Sequence, residues 1–143
     1  MVTASNGRII NSPWALMIPR KTKGPKRYAM SLSNYRNQHH RSNAGAKVFY
    51  SKLIAPQVKR LPKIEGKVSI TLTMFPPSRR RYDLDNWGSV TAKFFQDCLV
   101  EHKIIEDDDA STVTRVTFLP GTVDPKNPRI EITVAPEVTK EDK

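Results

Sequence analysis

A chain of 143 residues has the length of one domain and buries roughly 70% of the surface its unfolded form exposes, so a full hydrophobic core is within its means. Its formal net charge of +10 points to an acidic partner, with nucleic acid first and an anionic membrane surface second. The single cysteine, Cys98, excludes an internal disulfide and a cysteine-based zinc site within the chain, and no apolar run approaches the roughly 20 residues of a membrane span.

Residues 1–7 read as a loose start, and Arg8 to Ile18 as an extended segment, interrupted at Pro13 and closed by Pro19. Asn11-Ser12-Pro13 splits Ile9-Ile10 from Trp14-Ala15-Leu16-Met17-Ile18, which is too broken for the apolar core of a signal peptide, and the expectation is a soluble intracellular protein. From Arg20 to Arg41 the composition is that of a long basic surface loop. Lys21, Lys23, Lys26, Arg27, Arg36 and Arg41 are interleaved there with Tyr28, Tyr35 and the pair His39-His40. Cations with aromatics between them suit a nucleic-acid backbone with unstacked bases nearby, and a solvated loop with no partner is the alternative. The paired histidines lack further ligands at metal spacing and read as exposed.

Residues 43–61 carry the first helical pattern, with Asn43 as its N-cap and Val48, Phe49, Leu53 and Val58 at helical spacing; Pro56 predicts a kink or an early stop. Lys67 to Phe75 then alternates Val68, Ile70, Leu72 and Met74 with Ser69, Thr71 and Thr73, the pattern of a half-buried strand, and Pro76-Pro77 ends it. After Asn86 the positions Trp87, Val90, Phe94, Cys98 and Leu99 form one face of a helix running to about His102, capped by Asp85 or Asn86. Cys98 lies on that stripe and reads as a buried, inert thiol, while His102 answers the helix dipole. Thr112 to Leu119 is a strand, 120–128 a turn, and Arg129 to Val134 the hairpin partner, before a polar frayed tail from Pro136. The order strand, helix, strand, helix, strand, strand predicts an α+β single domain with a mixed sheet and two main helices.

Charge is unevenly placed along this order. Residues 1–82 hold 17 Lys and Arg against one acid, Glu65, while residues 83–143 hold 7 against 13. Either a phosphate-holding first half is joined to a carboxylate-supplying second half, or two solvated faces differ in sign. The boundary falls inside Arg79-Arg80-Arg81-Tyr82-Asp83-Leu84-Asp85-Asn86. Arginine forks pair with two phosphate oxygens each, so Arg79, Arg80 and Arg81 are candidates to clamp a nucleic-acid backbone.

Asp83 and Asp85 stand one residue apart at a strand-to-helix junction. On an extended backbone both carboxylates project to one side, with Leu84 turned to the core. Two such carboxylates repel unless neutralised, and Mg²⁺ or Mn²⁺ prefers oxygen ligands of this kind. A third carboxylate is available in Glu106-Asp107-Asp108-Asp109. The competing account is helix capping by Asp83 and Asp85 and an acidic run that is merely solvated. Lys93 lies eight residues beyond Asp85, roughly 12 Å along a helix, and leans back towards the helix start; it either reaches a phosphate bound there or is solvated.

The run from Arg79 to Asn86, the helix with Lys93, Asp97 and Leu99, and Ile104-Ile105-Glu106-Asp107-Asp108 resemble the signature of the RusA family of Holliday-junction resolvases, often carried by phages and prophages. The match is close over about 79–110 and loose over the N-terminal third. The resemblance implies a Mg²⁺-dependent endodeoxyribonuclease that cuts four-way DNA junctions as a homodimer. It places Asp83, Asp85 and Asp108 as metal ligands and catalytic carboxylates, with the register open by one residue across Asp107, Asp108 and Asp109. The family's active-site lysine falls on Ser89 by counting from Asn86, or on Lys93 by alignment from the helix end, and Lys93 is the preferred position. Arg79, Arg80, Arg81, Lys21, Lys23, Lys26 and Arg27 are the expected DNA-binding cations.

Overall fold

The computed structural model describes residues 9–137. The expected loose start, Arg8 and the tail beyond 137 lie outside them. The alternating stretch becomes β4 (Val68–Phe75), whose Val68, Ile70, Leu72 and Met74 are all fully buried on one face. It is the centre of a four-stranded sheet. On one side β4 pairs antiparallel with β6 (Arg129–Pro136), and on the other it runs parallel to β5 (Val113–Pro120). β1 (Ile10–Pro13) closes the far side of β6, giving the order β1-β6-β4-β5. Registers of Ile10 opposite Ile132 and Ile132 opposite Leu72 carry one apolar row across three strands. On this face β1, β4 and β6 bury Ile10, Leu72, Ile130, Ile132 and Val134, which join the helices in a single core.

A parallel pair needs a crossover, and α3 (Leu84–Glu101) supplies it between β4 and β5. Its buried residues, including Val90, Phe94, Phe95, Cys98 and Leu99, follow the stripe expected from the sequence. Gly88 permits close approach to the sheet: a Cβ there would stand 2.7 Å from Met74 Cε and 2.7 Å from Phe118 Cδ1. α2 (His40–Val58) packs beside α3 and over β1, burying Ala46, Tyr50, Ile54 and Val58. Among the described residues no helix is long and apolar enough to cross a membrane.

Several expectations are corrected. The segment from Arg20 to Arg41 is not a structureless loop. β2 (Ala15–Ile18) and β3 (Lys26–Ala29) form an antiparallel hairpin of their own, and α1 (Leu32–Asn37) follows, capped by Ser31. The extended segment broken at Pro13 therefore serves two sheets, β1 in one and β2 in the other. Asn43 lies inside α2, whose N-cap is His39; its side chain instead accepts from the Tyr28 hydroxyl at 2.6 Å and donates to the Tyr35 carbonyl at 2.8 Å. The expected stripe of α2 holds only in part: Val58 is buried and Phe49 packs against the core, but Val48 and Leu53 face solvent. Pro56 sits within its last turn, and the helix ends two residues later. β5 and β6 do not pair as a hairpin, because β4 lies between them. Their connection crosses the end of β4 instead, with Gly121 N–H donating to Met74 O at 2.6 Å and Asp124 N–H to Pro76 O at 2.8 Å.

Candidate active site and nucleic-acid interface

β1, β4 and β5 all point the same way, since β6 is antiparallel to both β1 and β4 and β5 is parallel to β4. Their carboxyl ends therefore share one edge of the sheet, the usual place for ligand binding in open α/β sheets. The arginine run leaves the end of β4 here and leads straight into α3. Asp83 is the N-cap of α3, with extended φ −96° and ψ 133°, and it makes no side-chain capping hydrogen bond. Asp85 is already in the first helical turn, so the extended geometry expected to align the two carboxylates holds for Asp83 alone. The capping role expected of Asp85 or Asn86 falls to neither. Asn86 Oδ1 accepts from Ser33 N–H at 3.2 Å and from Ser33 Oγ at 3.3 Å, tying α1 to the head of α3.

Both aspartates are exposed, and among the described residues neither carboxylate has a hydrogen-bond or ion-pair partner. Asp85, Ser89 and Lys93 follow one another at intervals of four and share a helix face. Ser89, Lys93 and Gln96 line a shallow cavity of about 290 Å³ together with Asp108 and Phe118. The acidic loop thus folds back over the middle of α3 and sets Asp108 beside Lys93, and Ser89 belongs to the same cavity one turn earlier.

The three consecutive aspartates are not equivalent. Asp107 Oδ1 accepts the N–H of Asp108 at 2.7 Å, and Asp109 Oδ1 accepts the N–H and hydroxyl of Ser111 at 3.0 and 2.6 Å. The Ser111 hydrogen bonds hold the Asp109 carboxyl below its ordinary value. Desolvation, followed by the nearby charge of Asp97, raises that of Asp108. Asp97 itself pairs with Lys47 of α2 at 2.8 Å, so one cation of the basic half reaches the acidic loop's surroundings. Asp97 and Lys47 are neighbours that the sequence pattern did not single out.

The donor chemistry of Asp83 and Asp85 suits a hard divalent cation. They present only carboxylate oxygens, unengaged by protein groups, and Mg²⁺ is commonly held by one or two carboxylates with waters and substrate phosphates completing its shell. Asp108, in the loop after α3, shares its cavity with Ser89, Lys93 and Gln96 of that helix and not with Asp83 or Asp85. Among the described residues, no three His, Cys, Asp or Glu side chains gather around one point.

The cations expected to bind DNA lie on two segments. Lys21 and Lys23 occupy the β2–β3 turn, which Arg20 braces by donating from Nε to Gly24 O at 2.8 Å; Lys26 and Arg27 are on β3. Arg27, Arg80 and Arg81 line one cavity of about 360 Å³ with Trp14, Tyr82 and Trp87. Arg79 is exposed beside them in the same run. Trp14 and Trp87 stack at 5.2 Å between ring centroids, and Tyr82 meets Trp14 edge-on at 6.0 Å. From the sequence Trp14 reads as strand and Trp87 as helix stripe, and no spacing rule joins them. The aromatic Tyr82 embedded between three arginines and Asp83 was the available signal.

A comparison with curated proteins finds no match. The family model for endodeoxyribonuclease RusA matches residues 18–135, which takes in the last residue of β2, β3 and the turn between them, the arginine run, α3 with its flanking acids, and all but the last residue of β6. The chain belongs to the endodeoxyribonuclease RusA family.

Proposed function

We propose that the protein is a Mg²⁺-dependent endodeoxyribonuclease that recognises branched DNA and resolves four-way junctions by paired incisions, acting as a homodimer with one site per cut strand. The observation that carries this reading is the placement of two carboxylates without a partner among the described residues, Asp83 and Asp85, just after three exposed arginines at the carboxyl edge of the sheet, in a chain of this family. Arg79, Arg80 and Arg81 hold phosphates flanking the scissile bond, and Lys21, Lys23, Lys26 and Arg27 extend that grip from the hairpin. Asp83 and Asp85 hold Mg²⁺, with Mn²⁺ as a substitute, and Asp108 is the third carboxylate, beside Lys93. Mg²⁺ held there would supply Lewis-acid chemistry, lowering the pKa of water and countering the charge that develops on a phosphodiester. Lys93 contributes positive charge to the phosphodiester as negative charge develops on it, with Ser89 as the alternative position on the same face.

The test is incubation with an end-labelled synthetic four-way junction and a linear duplex, with and without Mg²⁺, beside Asp85→Asn. Paired symmetric nicks in the junction alone, lost by at least about 100-fold in the variant while binding persists, are expected. Tight binding without cleavage under Mg²⁺ or Mn²⁺ identifies a non-catalytic DNA-binding protein instead. Equal cutting of duplex removes the junction selectivity.

A further inference from the structure

The cavity at the carboxyl ends of β1 and β4 has a composition that phosphate binding alone does not require. Its aromatic side comes from three separate segments: Trp14 after β1, Tyr82 at the end of the arginine run, and Trp87 in the first turns of α3. Trp14 is buried and holds Trp87 by stacking, whereas Tyr82 and Trp87 are only half-buried and line the opening. Arg27, Arg80 and Arg81 complete the lining, and among the described residues none has a carboxylate partner. Three uncompensated guanidinium groups ask for phosphate, and a rigid aromatic wall asks for a flat ring. A volume of about 360 Å³ lies in the range of small-molecule sites.

We propose that this cleft is a stacking site for one unpaired nucleobase, belonging to the strand whose adjacent phosphate lies at Asp83 and Asp85. The position of that phosphate rests on the nuclease reading above; the base site itself does not. Tyr82 immediately precedes Asp83 and Trp87 follows Asp85 by two residues, so base and phosphate of one nucleotide step are served by a single short segment. At a branch point, where stacking is already interrupted, capture of one base here fixes which phosphate meets the carboxylates. This would make the cleft a specificity element.

The chain's two tryptophans are both in the cleft, so intrinsic fluorescence reports on it directly. The full-length protein is titrated in a metal chelator with an eight-residue oligothymidylate and with an abasic oligonucleotide of equal length and charge. The thymidylate is expected to quench tryptophan emission and to bind about 5- to 150-fold more tightly than the abasic strand, the range for one stacked base. Tyr82→Leu and Trp87→Leu are expected to abolish that advantage while still binding the abasic strand, and Arg81→Ala to weaken both strands alike. Equal affinity of the two strands with unchanged emission overturns the proposal, and this comparison needs only the wild-type chain. Junction cleavage in Mg²⁺ without a thymidylate advantage removes the stacking site and keeps the nuclease. A thymidylate advantage without cleavage keeps the stacking site and removes the nuclease.

Discussion

The thiol of Cys98 is 1% exposed within the apolar face of α3, and burial pushes its pKa from 9.0 up to about 11. Tyr28, whose hydroxyl donates to Asn43, is raised from 10.0 to about 12, chiefly by burial, and the fully buried Tyr50 is raised further by the same cause. These are acids kept neutral by folding. The unfolded chain releases their protons at lower pH than the folded chain does, so their contribution to stability is complete below about pH 9 and declines as pH rises. The urea midpoint should therefore fall from about pH 9 as Cys98 ionises in the unfolded state, and more steeply above about pH 10 as the tyrosines join. In parallel, a thiol reagent at pH 8 should leave the native protein unmodified and titrate one thiol after denaturation. Rapid native labelling, or a midpoint flat to pH 11, would show that this part of the core is open. The inert character of Cys98 was legible in the sequence, because the apolar stripe of α3 places it inward. The pairing of Lys47 with Asp97 was not, since a lysine on α2 and an aspartate fifty residues later meet only through helix packing that no local pattern encodes.

At the scale of elements, legibility followed the strength of the periodic signal. β4, α3 and β6 have strict alternation or a clear stripe, and each lies within three residues of its expected bounds. β3 and α1 are four and six residues long, too short for a period to show through a basic, turn-rich composition. α2 has two of its four expected core positions, Phe49 and Val58, on the core side, while exposed Val48 and Leu53 are more apolar by type than buried Ala46 and Tyr50 and so stood in for them. The β5–β6 hairpin failed for a different reason. Neighbouring strands in sequence usually pair, and alternation is the same whether a strand pairs with its sequence neighbour or with β4 between them. Gly121 marks the difference. A Cβ there would stand 2.6 Å from the carbonyl oxygen of Met74, a backbone atom held within the sheet, on the residue whose N–H donates to that same oxygen. Gly121→Ala must displace the crossing segment from the end of β4 and should cost about 1–3 kcal/mol in urea unfolding. Gly24→Ala, which meets nothing within 4 Å, should stay within about 0.5 kcal/mol of wild type. Equal stability of the two variants would mean that the crossing segment is not held against Met74 as described.

For the whole molecule, the cations of residues 1–82 and the acids of residues 83–143 are disposed differently. Arg27 of the hairpin meets Arg80 and Arg81 in one cavity at the carboxyl edge of the sheet, with Arg79 in the same run and Lys21, Lys23 and Lys26 on the hairpin that carries Arg27, whereas the later acids are largely spent locally. Arg129 takes Asp124 at 2.7 Å and Glu131 at 3.0 Å, Arg115 takes Glu137 at 3.6 Å, and Asp109 closes its own turn. None of these seven cations has a carboxylate partner among the described residues. If all seven neutralise DNA phosphates, the logarithm of the association constant should fall against the logarithm of salt concentration with a slope of about −6. Affinity for a four-way junction, measured by fluorescence anisotropy in chelator, would then drop by between three and four orders of magnitude, roughly 4,000-fold, between 50 and 200 mM salt. Arg80→Ala should reduce the slope by about 1, and the double replacement of Lys21 and Lys23 by about 2, with little change in preference between sequences. A slope near −2 that these variants leave unchanged would mean that DNA is held elsewhere. In that case the carboxylates of Asp83 and Asp85 would have no anchored phosphate beside them, and the assignment of the active edge would fall with the slope.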